Sequence, residues 1–221
     1  KALGYECVSR EILIEASRHF EVPEKKLLTS IHDAPSMLDR ITRGRDRYLS
    51  YIQSALLDHV KTDNVVYHGH AGHLLLREFP RVLKVRILAD MDDRAALLRK
   101  EKNMTREQAL AFLHDDDRQR AEWTRYLYKK EVSDPNLYDM VIRVGALSIE
   151  GARDLIVKAA SGAAFRLTPE LKRKLVDLSI ESHLHVLLSD VCEAEIRSMD
   201  RCVRIRCRPQ RIRKFDPIRP T

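Results

Sequence analysis

Asn64-Val65-Val66-Tyr67-His68-Gly69-His70-Ala71-Gly72 is the stretch on which the fold turns. Two valines and a tyrosine closed off by glycines predict a short buried strand running into a tight loop. Leu83-Lys84-Val85-Arg86-Ile87-Leu88-Ala89 repeats the strand pattern, and Tyr138-Asp139-Met140-Val141-Ile142-Arg143-Val144 repeats it again. Charged, helix-forming segments at about 92–101 and 105–128 separate these two, and another helix covers 148–160. Upstream, Tyr5-Glu6-Cys7-Val8 reads as a strand and Arg10 to Phe20 as a helix, with a further helix after Pro23. After Asp33-Ala34-Pro35-Ser36, apolar Met37, Leu38, Ile41, Tyr48, Ile52, Leu56 and Val60 recur near helical spacing to about Lys61. Short apolar strands alternating with helices predict an α/β fold, a three-layer parallel sheet covered on both faces. The strands near 5–8, 65–68, 83–89 and 139–144 are expected side by side in that sheet.

Ser161-Gly162-Ala163-Ala164 is the natural boundary. It divides the chain into a first domain, 1–160, and a small basic α+β domain, 165–221. In the second, Thr168-Pro169-Glu170 starts a helix that is expected to run to about Ile180. His183 to Leu188 and Cys202 to Arg208 are its strand candidates. At the other end, Lys1-Ala2-Leu3-Gly4 resembles the last turn of a helix with a C′ glycine.

Of the 221 residues, 44% are hydrophobic and 33% charged, the make-up of an ordinary globular protein. No apolar stretch approaches the roughly 20 residues that span a bilayer, so no membrane partner is expected. Cys7, Cys192, Cys202 and Cys207 lack any CxxC spacing. In a strand, the odd separation of Cys202 and Cys207 puts them on opposite faces. All four read as reduced thiols, and the protein as cytoplasmic. The net charge of +7 is concentrated: Arg197 to Thr221 carries nine basic residues against Asp200 and Asp216, which is the whole excess. Cys202-Val203-Arg204-Ile205-Arg206-Cys207-Arg208 alternates apolar residues with arginine, as a half-buried strand with a wet arginine face does. Nucleic-acid binding would call for interleaved aromatics, and only Phe215 is near. The alternative to a solvated arginine face is an anionic ligand sensed by a small regulatory domain; nucleic acid is not the expected partner.

Four places resemble the cytidylate kinase-like family of P-loop nucleoside monophosphate kinases. Gly4-Tyr5-Glu6-Cys7-Val8-Ser9-Arg10-Glu11-Ile12-Leu13 is similar to its strand-into-helix element. Asn64 to Gly72 occupies the place of its strand ending in Gly-Arg. Asp117-Arg118-Gln119-Arg120-Ala121, with Trp123 and Arg125-Tyr126 following, resembles its lid signature. Tyr138 to Ile142 before Leu147-Ser148-Ile149-Glu150 resembles its last strand and helix. The resemblance covers residues 1–160 and implies a P-loop-kinase sheet with a helical lid. It further implies ATP and Mg²⁺ as cofactors, small-molecule nucleotides as partners, and transfer of the γ-phosphoryl to a CMP-like monophosphate or related small acceptor. A degenerate kinase-like nucleotide sensor without turnover is the alternative, and a nucleic-acid-binding module resting on the basic tail is a third class.

Two features depart from the family. No GxxxxGK[ST] occurs among Gly4, Gly44, Gly69, Gly72, Gly145, Gly151 and Gly162, so the backbone cradle and lysine for the donor phosphates are not in this sequence. We expect that loop and its strand to precede Lys1; the alternative is a protein that never had them. His70 stands where the family's arginine meets the acceptor phosphate, and histidine lacks both the permanent charge and the forked donors.

The resemblance implies Arg120 and Arg125 as lid arginines on the transferring phosphates, with Asp117 orienting sugar or arginines and Arg118 beside them. Gly69, His70, Ser9, Arg10 and Arg43 fall on the acceptor side. From the residues alone, Arg118, Arg120 and Arg125 read as a solvated face paired to Asp115, Asp116, Asp117 and Glu122 at i,i+3 and i,i+4. Arg40, Arg43, Arg45 and Arg47 around Gly44 read either as an anion-attracting rim or as a solvated helix face. His68, His70 and His73 have the H-x-H-x-x-H spacing of a metallohydrolase zinc motif. Gly72 takes the place of its aspartate and no second ligand set is evident, so no metal site is expected here.

Overall fold

A computed structural model of the chain describes residues 2–9, 11–32, 44–69, 71–77, 79, 81–189 and 191–209. The first strand, β1 (Glu6–Val8), leads into α1 (Glu11–His19), α2 (Glu24–His32) and the long α3 (Gly44–Val60). Then come β2 (Val65–Tyr67), a single turn α4 (Gly72–Leu75), β3 (Val85–Leu88), α5 (Met91–Lys102) and α6 (Arg106–Tyr128). The strand β4 (Met140–Arg143) and helix α7 (Ile149–Ala160) close this part, and α8 (Pro169–Leu188), β5 (Cys192–Met199) and β6 (Cys202–Pro209) follow. Ala2 to Tyr5 is irregular rather than helical, although Gly4 does take a left-handed φ of 70°.

Local chemistry sets the helix ends. Thr105 and Gln108 form a reciprocal capping box at α6: the Gln108 amide donates to Thr105 Oγ1 at 3.2 Å and the Thr105 amide to Gln108 Oε1 at 2.9 Å. Ser148 Oγ accepts from the Gly151 amide at the start of α7, and Thr168 Oγ1 from the Leu171 amide at the start of α8, where Pro169 fills the first helical position.

The alternation of strands and helices gives a mixed α/β chain, but the single four-stranded sheet expected from the sequence is not what forms among the described residues. The strands instead make two separate parallel pairs, β1 with β2 (Val8 opposite Tyr67) and β3 with β4 (Leu88 opposite Arg143). Each strand is only three or four residues long. Val66 (40% exposed), Ile87 (57%) and Val141 (44%) show how little covers them. Parallel strands are ordinarily buried on both faces.

Helices build the core. Ile12 and Ala16 of α1, Leu27 of α2, and Ile52 and Leu56 of α3 are fully buried together, and Val8 reaches them from β1. Leu175 and Val186 of α8 join the same cluster, so α8 lies against α3. A second, separate cluster of Ala95, Ala109 and Leu113, flanked by Met91, Leu98, Met104 and Leu110, holds α5 and α6 together as a hairpin.

The segment 183–188 is helix, not the expected strand. Leu184, Leu187 and Leu188 have the i, i+3, i+4 spacing of a helix stripe, and His183 Nδ1 lies 3.1 Å from the Ser179 carbonyl one turn back. The strand that pairs with β6 is β5, antiparallel, with Cys202 opposite Met199. Asp200 and Arg201 both take left-handed φ, 50° and 64°, as a two-residue hairpin turn of this hand requires. Asp177 of α8 fixes that turn. Its carboxylate accepts from Ser198 Oγ at 2.7 Å, the Asp200 amide at 2.9 Å and the Arg201 amide at 3.0 Å. Burial works to raise the Asp177 pKa, but these three donors outweigh it and hold the carboxyl below its usual range. Asp177→Ala is expected to cost about 1–3 kcal/mol by stranding the donors. It should speed amide exchange at Asp200 and Arg201, whose amides donate to this carboxylate; unchanged exchange there would show that the hairpin holds its turn without Asp177.

Candidate functional site

In a parallel α/β arrangement, ligands meet the loops beyond the C-terminal ends of the strands. Ser9 follows β1 and Gly69 follows β2 by one residue, and the His68 amide donates to the Val8 carbonyl at 3.0 Å. Ser9 and Gly69 are therefore neighbours at the same end of one strand pair. The Ser9 amide donates to Glu11 Oε2 at 2.8 Å. The hydrogen bonds to Glu11 from its own amide and from Ser9 lower its pKa, with His68 and His59 adding smaller effects. Arg10, His70, Arg40 and Arg43 lie outside the described residues, and for Arg45 and Arg47 only the backbone in α3 is described.

Tyr67 dictates the glycines of the loop. A Cβ on Gly69 would stand 2.7 Å from the Tyr67 hydroxyl oxygen, and one on Gly72 would stand 2.6 Å from Tyr67 Cε1. The loop thus folds down onto the tyrosine ring, and Ala71 turns it with a left-handed φ of 63°. Burial pushes the Tyr67 phenol up to about 12, so it stays neutral. The two glycines that close the strand therefore have a packing cause.

His73, in α4, packs against Tyr138 with ring centroids 4.8 Å apart, and its buried Nε2 finds no hydrogen-bond partner among the described residues. Burial first, and then the charges of Lys84 and Arg86, lower its pKa to about 4. The ring is neutral in the fold, whereas an unfolded chain takes up the proton near pH 6.5. Its contribution to stability is therefore complete above about pH 6.5 and is lost as the pH falls toward 4. The full shift would amount to about 3 kcal/mol, reduced to about 1–2 kcal/mol by the ring's partial exposure. Urea midpoints at pH 4.5 and 7 should differ more for the wild type than for His73→Phe. Equal differences in the two proteins would assign the acid sensitivity elsewhere.

The second strand pair ends in charge. Asp90, which follows β3, pairs with Arg143 at the end of β4. One turn into α5, Arg94 donates two parallel hydrogen bonds to Asp117 of α6, at 2.6 and 2.8 Å. The Arg94 hydrogen bonds are the main cause that lowers the Asp117 pKa. Asp117 thus orients an arginine, although Arg94 lies outside the lid signature. Around it, Arg118 pairs with Asp115 at 2.5 Å and Glu122 at 3.1 Å, and Arg120 pairs with Asp116 at 2.9 Å. Arg125 donates to both Glu131 oxygens, at 2.7 and 2.9 Å. The i,i+3 and i,i+4 pairing foreseen for Arg118 and Arg120 is present.

These groups are carried by the α5–α6 hairpin, an arm that has its own small core at one end. At the other end it is rooted in the main core by Trp123, fully buried near Tyr128 at a ring distance of 5.7 Å. The arm leaves directly from the C-terminal end of β3, so Arg94, Asp117, Arg118 and Arg120 lie on the element that begins there. Sequence reasoning missed Arg94, Asp90 and Arg143. The available signal was Ala89-Asp90-Met91-Asp92-Asp93, a helix start immediately after a parallel strand. Among the described residues, no group of three or more His, Cys, Asp or Glu side chains could hold a metal ion. No helix among them is long and apolar enough to cross a membrane.

The sequence profile of the cytidylate kinase-like family matches residues 1–146, about two thirds of the chain. The chain belongs to the cytidylate kinase-like family. That membership makes it a kinase-like protein of a nucleotide-binding family, and the matched span takes in β1 through β4, the glycine loop and the arm. A crystal structure of an uncharacterized protein from Eubacterium ventriosum is similar with a TM-score of 0.52. It is 17% identical, and the match covers 70% of this chain and 83% of that one. At that identity the likeness concerns the fold alone. No curated protein matches the chain.

Proposed function

We propose that this member of the cytidylate kinase-like family is a phosphotransferase that moves the γ-phosphoryl of ATP, brought with Mg²⁺, to a nucleoside monophosphate of the CMP type. The observation that carries it is the arm: arginines Arg118, Arg120 and Arg125 are exposed, charged and, among the described residues, paired with carboxylates of the same surface. Exposed ion pairs contribute little net stability, whereas a phosphate offers stronger, charge-assisted acceptors in the same forked geometry. A nucleotide can therefore displace Asp115, Asp116 or Glu131 with little loss to the fold. Phosphoryl transfer asks the protein chiefly for such placed cations and for exclusion of water.

Ser9 and Gly69, at the ends of β1 and β2, serve the acceptor side together with Arg10, His70 and Arg43. Asp117 keeps Arg94 and the arm in register. Mg²⁺ neutralises phosphate charge and typically keeps several waters, so nucleotide phosphates with one or two protein oxygens suffice to hold it.

The same proposal accounts for the split sheet. A further parallel strand, ending in the glycine-rich phosphate loop and supplied by sequence preceding Lys1, would seat between the β1–β2 and β3–β4 pairs to complete a three-layer sheet. The exposure of Val66, Ile87 and Val141 supports this, because such a strand and its helix would cover apolar surface now in water.

The test is an assay of the chain together with its upstream sequence, given ATP, Mg²⁺ and each nucleoside monophosphate in turn, reading the diphosphate formed. Turnover with a pyrimidine monophosphate is expected. Binding of nucleotides without turnover of any monophosphate would replace the enzyme by a nucleotide sensor. No binding at all would reject both.

A further inference from the structure

Cys192 and Cys207 lack CxxC spacing and read as reduced thiols in the sequence, and the β5–β6 hairpin brings them together. Cys207 lies opposite Ala194 and Cys192 opposite Pro209, so the two are diagonal neighbours on one face of the ladder. Their Sγ atoms are 2.6 Å apart. Cys192 is buried while Cys207 is exposed. The other two thiols are differently placed. Cys202 sits at the turn end of the hairpin, on the opposite face, and Cys7 is on β1 across from Val66.

We propose that Cys192 and Cys207 are a redox modification site, oxidised reversibly to a disulfide by small disulfides of the glutathione class. The exposed Cys207 thiolate attacks one sulfur of the oxidant. The oxidant's S–S bond breaks, one thiolate leaves, and Cys207 carries a mixed disulfide. Cys192, already in contact, gives up its proton and attacks Cys207 Sγ, expelling the second small thiolate. Two protein thiols and one small disulfide become one protein disulfide and two small thiols, so protons and electrons balance. The two sulfurs are already in contact, which is what closing the bond requires of the pair. Cys192, buried where Cys207 is exposed, fits the second, resolving thiol rather than the first attacker; contact with Cys207 and burial also raise its pKa. The bond would staple the open end of the hairpin, opposite the turn that Asp177 holds.

The full chain is reduced, equilibrated with graded ratios of reduced to oxidised glutathione, quenched in acid, alkylated and mapped by mass spectrometry. Cys192 and Cys207 should lose alkylation together, with a cross-linked peptide and a mass decrease of about 2 Da for the two thiol hydrogens. Cys7 and Cys202 should titrate independently of that pair. Cys192→Ser should stop at one reducible glutathione on Cys207. Cys207→Ala, at an exposed position that does not threaten folding, should leave Cys192 reduced and abolish the cross-link. A wild-type chain whose Cys207 ends as a stable glutathione adduct, or bonded to Cys202 or to a second chain, would overturn the proposal. So would a cross-link that persists in Cys207→Ala.

Discussion

Truncating Trp123 to alanine should destabilise the chain by about 3–5 kcal/mol, the range for emptying a buried aromatic site. The indole is fully buried in the main core, where Leu127, Tyr128 and Leu137 also pack. Ten residues earlier on the same helix, Leu113 belongs to the separate cluster of the arm. Trp123 is thus the side chain through which α6 is fastened to the body, and neighbouring side chains cannot collapse into its space without shifting the helix. Trp123→Phe, which keeps most of the apolar volume, should cost less than half as much. Urea unfolding followed by circular dichroism checks both. A midpoint for Trp123→Ala equal to that of the wild type would mean that the arm is fastened elsewhere.

The second large effect is on turnover. If Arg120 or Arg125 meets charge as it spreads over the transferring phosphoryl group, replacing either by alanine should lower kcat by about 10²–10³ and change nucleotide KM less. Arg118→Ala should be milder, since Arg118 is held by two carboxylates, Asp115 and Glu122, and has more to give up before it can reach a phosphate. Removing the competing carboxylates supplies the opposite sign. Asp116→Ala and Glu131→Ala leave Arg120 and Arg125 without their present partners, and should keep kcat within a few-fold while tightening nucleotide binding. Normal turnover in both Arg120→Ala and Arg125→Ala would remove the arm from the chemistry.

The helices and all four parallel strands were legible because each depends on local pattern. The capping chemistry of Thr105 and Ser148 and the apolar runs at 85–88 and 140–143 say the same thing at short range as the fold does at long range. What failed was long-range or ambiguous. Whether two strand pairs join depends on what lies between them, which no run of residues within either pair records. The apolar stretch 183–188 fits a strand and a helix alike, and the helix wins because α8 is already under way and packs on α3. The site shows the same division. Asp117 and the arginines after it stand out as a charged motif, but Arg94, which Asp117 binds, is 23 residues away in a separate helix. Cys192 and Cys207 meet only once the register of β5 on β6 is known.

Trp123 is the sole tryptophan of the 221 residues. Emission excited at the indole band therefore comes from one place, the joint between arm and body, with no background from a second chromophore of that kind. Its brightness and wavelength depend on how dry the joint is, and its anisotropy on how stiffly the joint is held. The molecule carries an unlabelled optical gauge at the point where its arm joins the body.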